Sequence, residues 1–371
     1  MLKEILSNLT VVSILAVVNS FLLVYFIIPK ISWIIQSRQL LDHPDERSSH
    51  SNSVPTMAGV AFFITLIMTL FFIQHFDSDQ VSLNIIAGIT LLFIIGLKDD
   101  LVLATPRAKT IMATCAILFM LFSSAMQVHS FHGFLGAHEL PLMFTYMAVI
   151  LMMLTIINAF NLIDGIDGLA SIVAIIIFSI YALIFFAYHL HFYFLLCLSV
   201  IGILLAYLNY NFSSSKKIFM GDTGSLIIGF CIGICTLKFL AIPDELFNPF
   251  SFQTENKLIV IAAILWIPLF DMFRVIMVRL YHKKSPFYPD RNHMHHILID
   301  AGLSHFETTM VLGFSNYLFV IVIIWLSSFW NSFKMMAVLA ALFVAGVLLF
   351  YILKKKISIK NKTNNTLQTN T

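Results

Sequence analysis

The sequence predicts an all-α, polytopic membrane bundle of about eleven transmembrane helices, and three observations predict it. Of 371 residues, 59% are hydrophobic and only 11% are charged, whereas a soluble domain carries roughly 25% charged residues. Eleven apolar runs follow one another, most of them near the ~20 residues that a helix needs to cross a bilayer. Eighteen of the 22 Lys and Arg residues fall on one alternate set of loops and span ends. That bias places the amino terminus outside and the carboxyl terminus in the cytoplasm. Residues 1–356 read as one membrane domain and 357–371 as a polar cytoplasmic tail too hydrophilic to order itself.

The first run, centred on Ala16, is preceded only by Lys3 and has no small-residue cleavage site, so it reads as a retained span. LDHPDERSSH, with Asp42, Arg47 and His50, and a PTMAG turn lead into the second run, at Leu66. The third, at Leu92, is short and ends in GLKDD. Asp99 and Asp100 are adjacent and diverge by about 100° on a regular helix, so both meet one site only at a helix end. After the fourth run, at Leu118, the fifth, at Val149, enters NAFNLIDGIDGLA. Its polar residues step by three and slip back about 60° each time, so an unbroken helix would face Asn158 and Asp167 in opposite directions. A break near Gly165 lets Asn161, Asp164 and Asp167 converge.

Runs at Ile177 and Cys197 precede FMGDTGS and the eighth run, at Ile232. Asp222 in that motif suits a ligand role and equally a helix N-cap. The ninth run, at Ile264, leads to PLFDMFR, where Asp271 and Arg274 lie on one face as an ion pair or as part of a site. SPFYPDRNHMHH, with Arg291, His293, His295 and His296, separates it from the last runs, at Val320 and Phe343. All four cysteines fall within spans and read as packing, not disulfides.

Nearly all the motif carboxylates sit at helix ends on the side rich in bases. Clustered carboxylates repel, by about 4 kcal/mol per pair at ~4 Å and an effective dielectric of 20, and they call for a cation. Oxygen ligands suit Mg²⁺, with Mn²⁺ as a substitute, shared with substrate phosphates. Arg47, Lys109, Lys216, Lys217, Arg291 and the histidines supply phosphate partners. The pattern points to phosphoryl chemistry on a soluble anionic donor, and basic-stripe signs of nucleic-acid binding are absent. A secondary transporter would also carry membrane carboxylates, but near the midplane and usually in repeated halves.

From Leu41 to His296 these motifs resemble, in order and spacing, the polyprenyl-phosphate N-acetylhexosamine-1-phosphate transferases. The resemblance implies ten or eleven helices in a bacterial plasma membrane, a cytoplasmic site and Mg²⁺. It implies transfer of a sugar 1-phosphate from a UDP-N-acetylhexosamine to undecaprenyl phosphate with release of UMP, initiating a lipid-linked envelope polysaccharide. Membrane lipids surround the protein, and a homodimer is compatible with the family. Asp99 and Asp100 match the paired catalytic aspartates, and Asp222 matches one tied to metal and catalysis; Asp100 and Asp222 are expected around the metal and Asp99 nearest the acceptor phosphate. Asn161, Asp164 and Asp167 match the nucleotide-sugar motif, joined by Arg291, His293, His295 and His296. Asp42, Arg47 and His50 match the first cytoplasmic loop. The His-containing loop favours a plain N-acetylglucosamine donor over the muramoyl-pentapeptide or modified-hexosamine branches. Two departures stand out: the family's PxxGG turn has Ala58 for its first glycine, and Ser48 and Ser49 occupy a region that often holds a lysine.

Overall fold

A computed structural model describes residues 8–38, 41–42, 54–139, 141–246, 249–286, 288 and 290–369. Helix α1 (Leu9–Ser37) is followed by a two-residue ladder in which Leu41–Asp42 pairs antiparallel with Val54–Pro55. Then come α2 (Gly59–Ile73), α3 (Ser82–Val102), α4 (Pro106–Leu121), α5 (Leu142–Ile163), α6 (Leu169–Ala187), α7 (His191–Asn211) and α8 (Gly221–Leu240). The chain continues as α9 (Lys257–Ile264), α10 (Trp266–Tyr281), α11 (Met294–Asp300), α12 (His305–Ser327) and α13 (Ser332–Thr369).

The core is organised around α8, which is buried throughout. Its sequence carries no charge between Asp222 and Lys238, and a helix apolar all round belongs in the interior. Helices α2, α3, α5 and α6 pack against it, while α7 bridges α1, α2 and α6. Small residues set how close they come. A Cβ on Gly59 would lie 2.2 Å from the Gly224 amide, and one on Gly96 would lie 2.5 Å from the Thr223 Cα. The start of α2 and the end of α3 therefore touch the backbone of the first turn of α8.

Eight helices among the described residues are long and apolar enough to cross a membrane, and a ninth span results if α9 and α10, bent by 74°, count as one. Each of the eleven apolar runs lies in helix, two of them outside those eight and one of them bent. The runs at Leu92 and Leu118 form α3 and α4, outside those eight: α3 ends in Lys98-Asp99-Asp100 and α4 has only 16 residues. The run at Ile264 is broken just ahead of Pro268, whose missing N–H and ring weaken a continuous helix there. Helix α13 runs past Lys356 to Thr369, with neither Gly nor Pro beyond Gly346 to stop it.

The expected break in the fifth run is present. Helix α5 ends at Ile163, and α6 begins after Gly168 at φ +75°. All four cysteines are free; the Cys197 and Cys235 sulfurs lie 3.6 Å apart in the interior. At the opposite end of α8 from the polar motifs, His132 is buried in the loop that precedes α5. Its ring bridges the Leu240 carbonyl at 2.7 Å and Asp244 at 2.6 Å, beside the buried Lys257.

Candidate active site

Helices α3 and α5 end, and α8 begins, at one locus. Asp100, in the last turn of α3, accepts from the Asp222 amide at 2.8 Å, the Thr223 amide at 3.1 Å and the Thr223 hydroxyl at 2.5 Å. It therefore caps α8 from another helix, doing for the orphan N–H groups what an N-cap does within one chain segment. Gly221 makes this approach feasible: its φ is +72°, and a Cβ there would sit 2.7 Å from an Asp100 oxygen. Asp222 lies inside the first turn, so its carboxylate is not the cap.

With its backbone tied to Asp100, the Asp222 side chain faces Asn161, whose amide donates to it at 3.2 Å and to the Ser225 hydroxyl at 2.8 Å. Lys109, at the start of α4, bridges Asp222 and Asp99, the latter at 2.7 Å. Asp99 also accepts from the Ala104 amide, closing the turn after α3. The PTMAG turn docks here as well: Phe219 N–H donates to the Pro55 carbonyl at 2.9 Å, and the Ala58 and Gly59 amides donate to the Phe219 and Met220 carbonyls. Ala58 stands in for glycine without strain at φ −58°, while Met57 takes the left-handed conformation at φ 74°.

The two aspartates of the α5–α6 turn differ sharply. Asp167 pairs with Lys217 at 2.6 Å and His305 at 3.2 Å. Burial alone would raise its pKa, but those two partners hold it below the ordinary carboxylate range. Asp164 has no hydrogen-bond partner for its carboxylate among the described residues. Burial, then the charges of Asp222, Asp100 and Asp167, push its pKa up to about 7. Asp164 is thus the carboxylate for which a cation would relieve the most repulsion. Among the described residues no three His, Cys, Asp or Glu side chains form a complete metal cage, so any metal here must complete its shell from elsewhere.

The histidine loop leans on the same turn. A Cβ on Gly165 would lie 2.4 Å from the His295 ring, so glycine alone lets that ring rest on the aspartate turn. His293 and His295 stack at 5.7 Å, and His295 and His296 lie 4.3 Å apart. Asp271, itself buried, holds the loop: it accepts from His293 Nδ1 at 2.8 Å, the Met294 amide at 2.9 Å and Arg274 at 2.8 Å. The Asp271–Arg274 ion pair and a role in shaping the site are therefore both real. Burial lowers the His295 pKa to about 3 and the His296 pKa to about 4, in the latter case with Arg291 as the next contribution, so both rings are neutral at neutral pH. His296 Nδ1 is buried without a partner.

Asp99, Asp100, Asn161, Asp164, Asp222 and, one turn away, Asp167 thus share one locus, with His293, His295 and His296 beside it. Arg291 is not drawn in: it faces Asp300 at 3.8 Å, with both side chains more than 40% exposed. Asp42 lies in the two-residue ladder opposite Val54. Arg47 and His50 lie outside the described residues. Lys109 and Lys217, read from sequence as phosphate partners, are tied to carboxylates, whereas Thr223, Ser225 and His305 went unread. No local spacing links residues 64 to 138 positions apart.

Residues 82–240, from α3 through α8, match the model of glycosyl transferase family 4. A Bacillus subtilis (strain 168) protein named probable undecaprenyl-phosphate N-acetylglucosaminyl 1-phosphate transferase is 30% identical, over 85% of this chain and 87% of its own length. The chain belongs to glycosyl transferase family 4. Proteins of Pasteurella multocida (strain Pm70) and Haemophilus influenzae, both named undecaprenyl-phosphate alpha-N-acetylglucosaminyl 1-phosphate transferase, are 32% and 30% identical over 81% and 80% of this family 4 chain and 82% and 81% of their own lengths. The family match covers every aspartate of the site and stops short of the histidine loop. This family 4 enzyme is a multi-pass membrane protein.

Proposed function

We propose that this enzyme transfers an N-acetylhexosamine 1-phosphate, foremost N-acetylglucosamine 1-phosphate, from its UDP conjugate to undecaprenyl phosphate, releasing UMP and starting a lipid-linked envelope polysaccharide. The observation that carries the reading is the meeting of Asp99 and Asp222 at Lys109, with Asn161 bonded to Asp222 and Asp164 within reach of its charge, at the ends of three helices. A site at helix ends, rather than at mid-span, favours an enzyme meeting a soluble donor over a transporter. The names of the relatives support N-acetylglucosamine and undecaprenyl phosphate as substrates.

In the bilayer, α3 and α4 join the eight apolar helices and the bent α9–α10 pair to make eleven crossings. The base-rich loops then place the site and the carboxyl terminus in the cytoplasm of a bacterial plasma membrane, with the amino terminus outside.

In the reaction, an oxygen of the lipid phosphate attacks the β-phosphorus of the UDP-sugar. The bond from that phosphorus to the bridging oxygen breaks, and UMP departs with the electron pair. A phosphate monoester with second pKa near 6 is already largely ionised, so no aspartate needs to act as base. The protein positions and neutralises. Lys109 offsets Asp99 and Asp222 and is the nearest cation to the reacting phosphates. Asp100 fixes the first turn of α8, which aims Asp222. Asp271 accepts from His293 Nδ1 and so fixes the orientation of that ring. Asp164 and Asp222 would hold Mg²⁺ together with diphosphate oxygens, in keeping with its habit of taking one or two carboxylates plus phosphates. When bound, Mg²⁺ neutralises the diphosphate and the leaving UMP. The purified protein incubated with labelled UDP-N-acetylglucosamine, undecaprenyl phosphate and Mg²⁺ tests the reading: UMP and labelled lipid in equal amounts support it, and no lipid product with any UDP-hexosamine sinks it.

A further inference from the structure

Between α9 and α10 the backbone loses three helical rungs, and two of them concern groups that bond elsewhere. In a continuous helix the Ile264 carbonyl would accept from residue 268, but Pro268 has no N–H, and the Ile267 N–H would donate to the Ala263 carbonyl. The structure fills both of these positions with one side chain. Asn316, on α12 and fully buried, accepts from the Ile267 N–H at 3.1 Å and donates to the Ile264 carbonyl at 3.2 Å. An amide buried in an apolar helix costs free energy unless it is bonded, and here both of its ends are. Proline explains why a rung is missing. It does not fix how far the chain turns, and Asn316 bonds to both sides of the 74° bend.

The bend matters for what it carries. Pro268 lies three residues before Asp271, which holds Arg274, His293 and Met294. Leu265, Pro268 and Leu269 also line an apolar crevice against Ala159 and Phe160 of α5, directly before Asn161. We propose that Asn316 is a positioning residue: by clamping both sides of the bend it sets the direction of α10, and so the placement of the Asp271–His293 assembly against the aspartates. Only the kinetic arm of the test rests on the transferase reading.

Spin labels at Leu258, on α9, and Tyr281, at the end of α10, report the bend directly, with Cys115 replaced and the three other cysteines buried. The two arms span about 10 and 24 Å at 1.5 Å per residue, so releasing the bend lengthens the label separation by up to about 6 Å. Asn316→Leu is expected to shift the separation upward and to lower kcat/KM per folded molecule on the order of 100-fold, the scale of a small misplacement of reacting groups. A residue that merely stabilised the fold would reduce the amount of active enzyme and leave KM and the label separation unchanged. The double variant Asn316→Leu/Pro268→Ala regains an in-chain donor for Ile264, so its thermal stability is expected to recover while turnover does not. An unchanged separation in Asn316→Leu, or wild-type turnover in the double variant, overturns the proposal. Should leucine prevent folding, Asn316→Ala is read by the same two measurements. A shifted separation in a protein that makes no lipid product would leave the clamp standing and remove the transferase reading instead.

Discussion

Asp100→Asn separates two roles that the sequence alone does not distinguish. As a metal ligand, Asp100 would set the Mg²⁺ concentration at which the enzyme half-saturates. In the structure its oxygens instead receive the Asp222 amide, the Thr223 amide and the Thr223 hydroxyl. Bonds to a charged group contribute about 1.5 to 3 kcal/mol each. Asparagine keeps one acceptor oxygen but turns an NH₂ toward donors, so one or two of the three bonds are lost, a destabilisation of about 2 to 4 kcal/mol localised at the first turn of α8. The assay pairs thermal unfolding in detergent with lipid-product formation across an Mg²⁺ series. The expected result is a lower melting temperature and a kcat reduced at least tenfold, with the Mg²⁺ half-saturation within about twofold of wild type. An unchanged melting temperature together with an Mg²⁺ requirement raised tenfold or more would refute the capping argument.

Lys109→Met removes the cation between Asp99 and Asp222; labelled-lipid formation is expected to fall on the order of 100-fold, with Lys109→Arg retaining more because the charge persists even though its geometry differs. His295 and His296 resist protonation until about pH 3 and 4 when folded but take up protons near 6.5 when unfolded, so the unfolded state binds more protons between those limits. Stability is therefore expected to decline as pH falls from about 6.5, by several kcal/mol in all, and His295→Gln should flatten the dependence of unfolding on pH. Met57 is held at φ 74° but is buried in the core, so Met57→Gly is expected to lower the melting temperature: relief of left-handed strain, about 1 kcal/mol, is outweighed by about 2 kcal/mol or more of lost apolar burial.

What the sequence made legible was local or additive. Hydropathy exposed the spans because every residue of a run contributes to it, and the three-residue stepping from Asn158 to Asp167 exposed the helix break because the geometric conflict lies within ten residues. Ala58 was readable as a replacement for glycine, and the structure holds it at a negative φ that alanine adopts freely. Illegible were contacts whose partners share no local pattern. Asp222 could be read as an N-cap because glycine precedes it, yet the cap comes from Asp100, 122 positions away. Arg291 sits in the same motif as His293 but points to Asp300, because motif membership does not fix the side of a loop. The ninth run reads from sequence as a single span in spite of Pro268, and the group that clamps its break, Asn316, looks like one polar residue in an apolar helix.

Helix polarity adds to the electrostatics of the site. The carbonyl ends of α3 and α5 both arrive there, and such ends favour cations by about 0.3 to 1 kcal/mol each. The amide end of α8 would oppose them, but Asp100 covers two of its N–H groups. The net field therefore draws positive charge toward Asp99, Asp164 and Asp222. Lys109 supplies one unit of it and reaches only Asp99 and Asp222, leaving Asp164 raised to about 7 by its burial and then by carboxylates that outnumber their cation. A divalent ion brought in by a diphosphate corrects that imbalance, whereas the diphosphate alone would worsen it. On this account donor binding should depend on the metal more steeply than acceptor binding does, and equilibrium binding of UDP-N-acetylglucosamine with and without Mg²⁺ measures it. Donor affinity independent of Mg²⁺ would mean that Lys109 and the histidine loop alone hold the diphosphate.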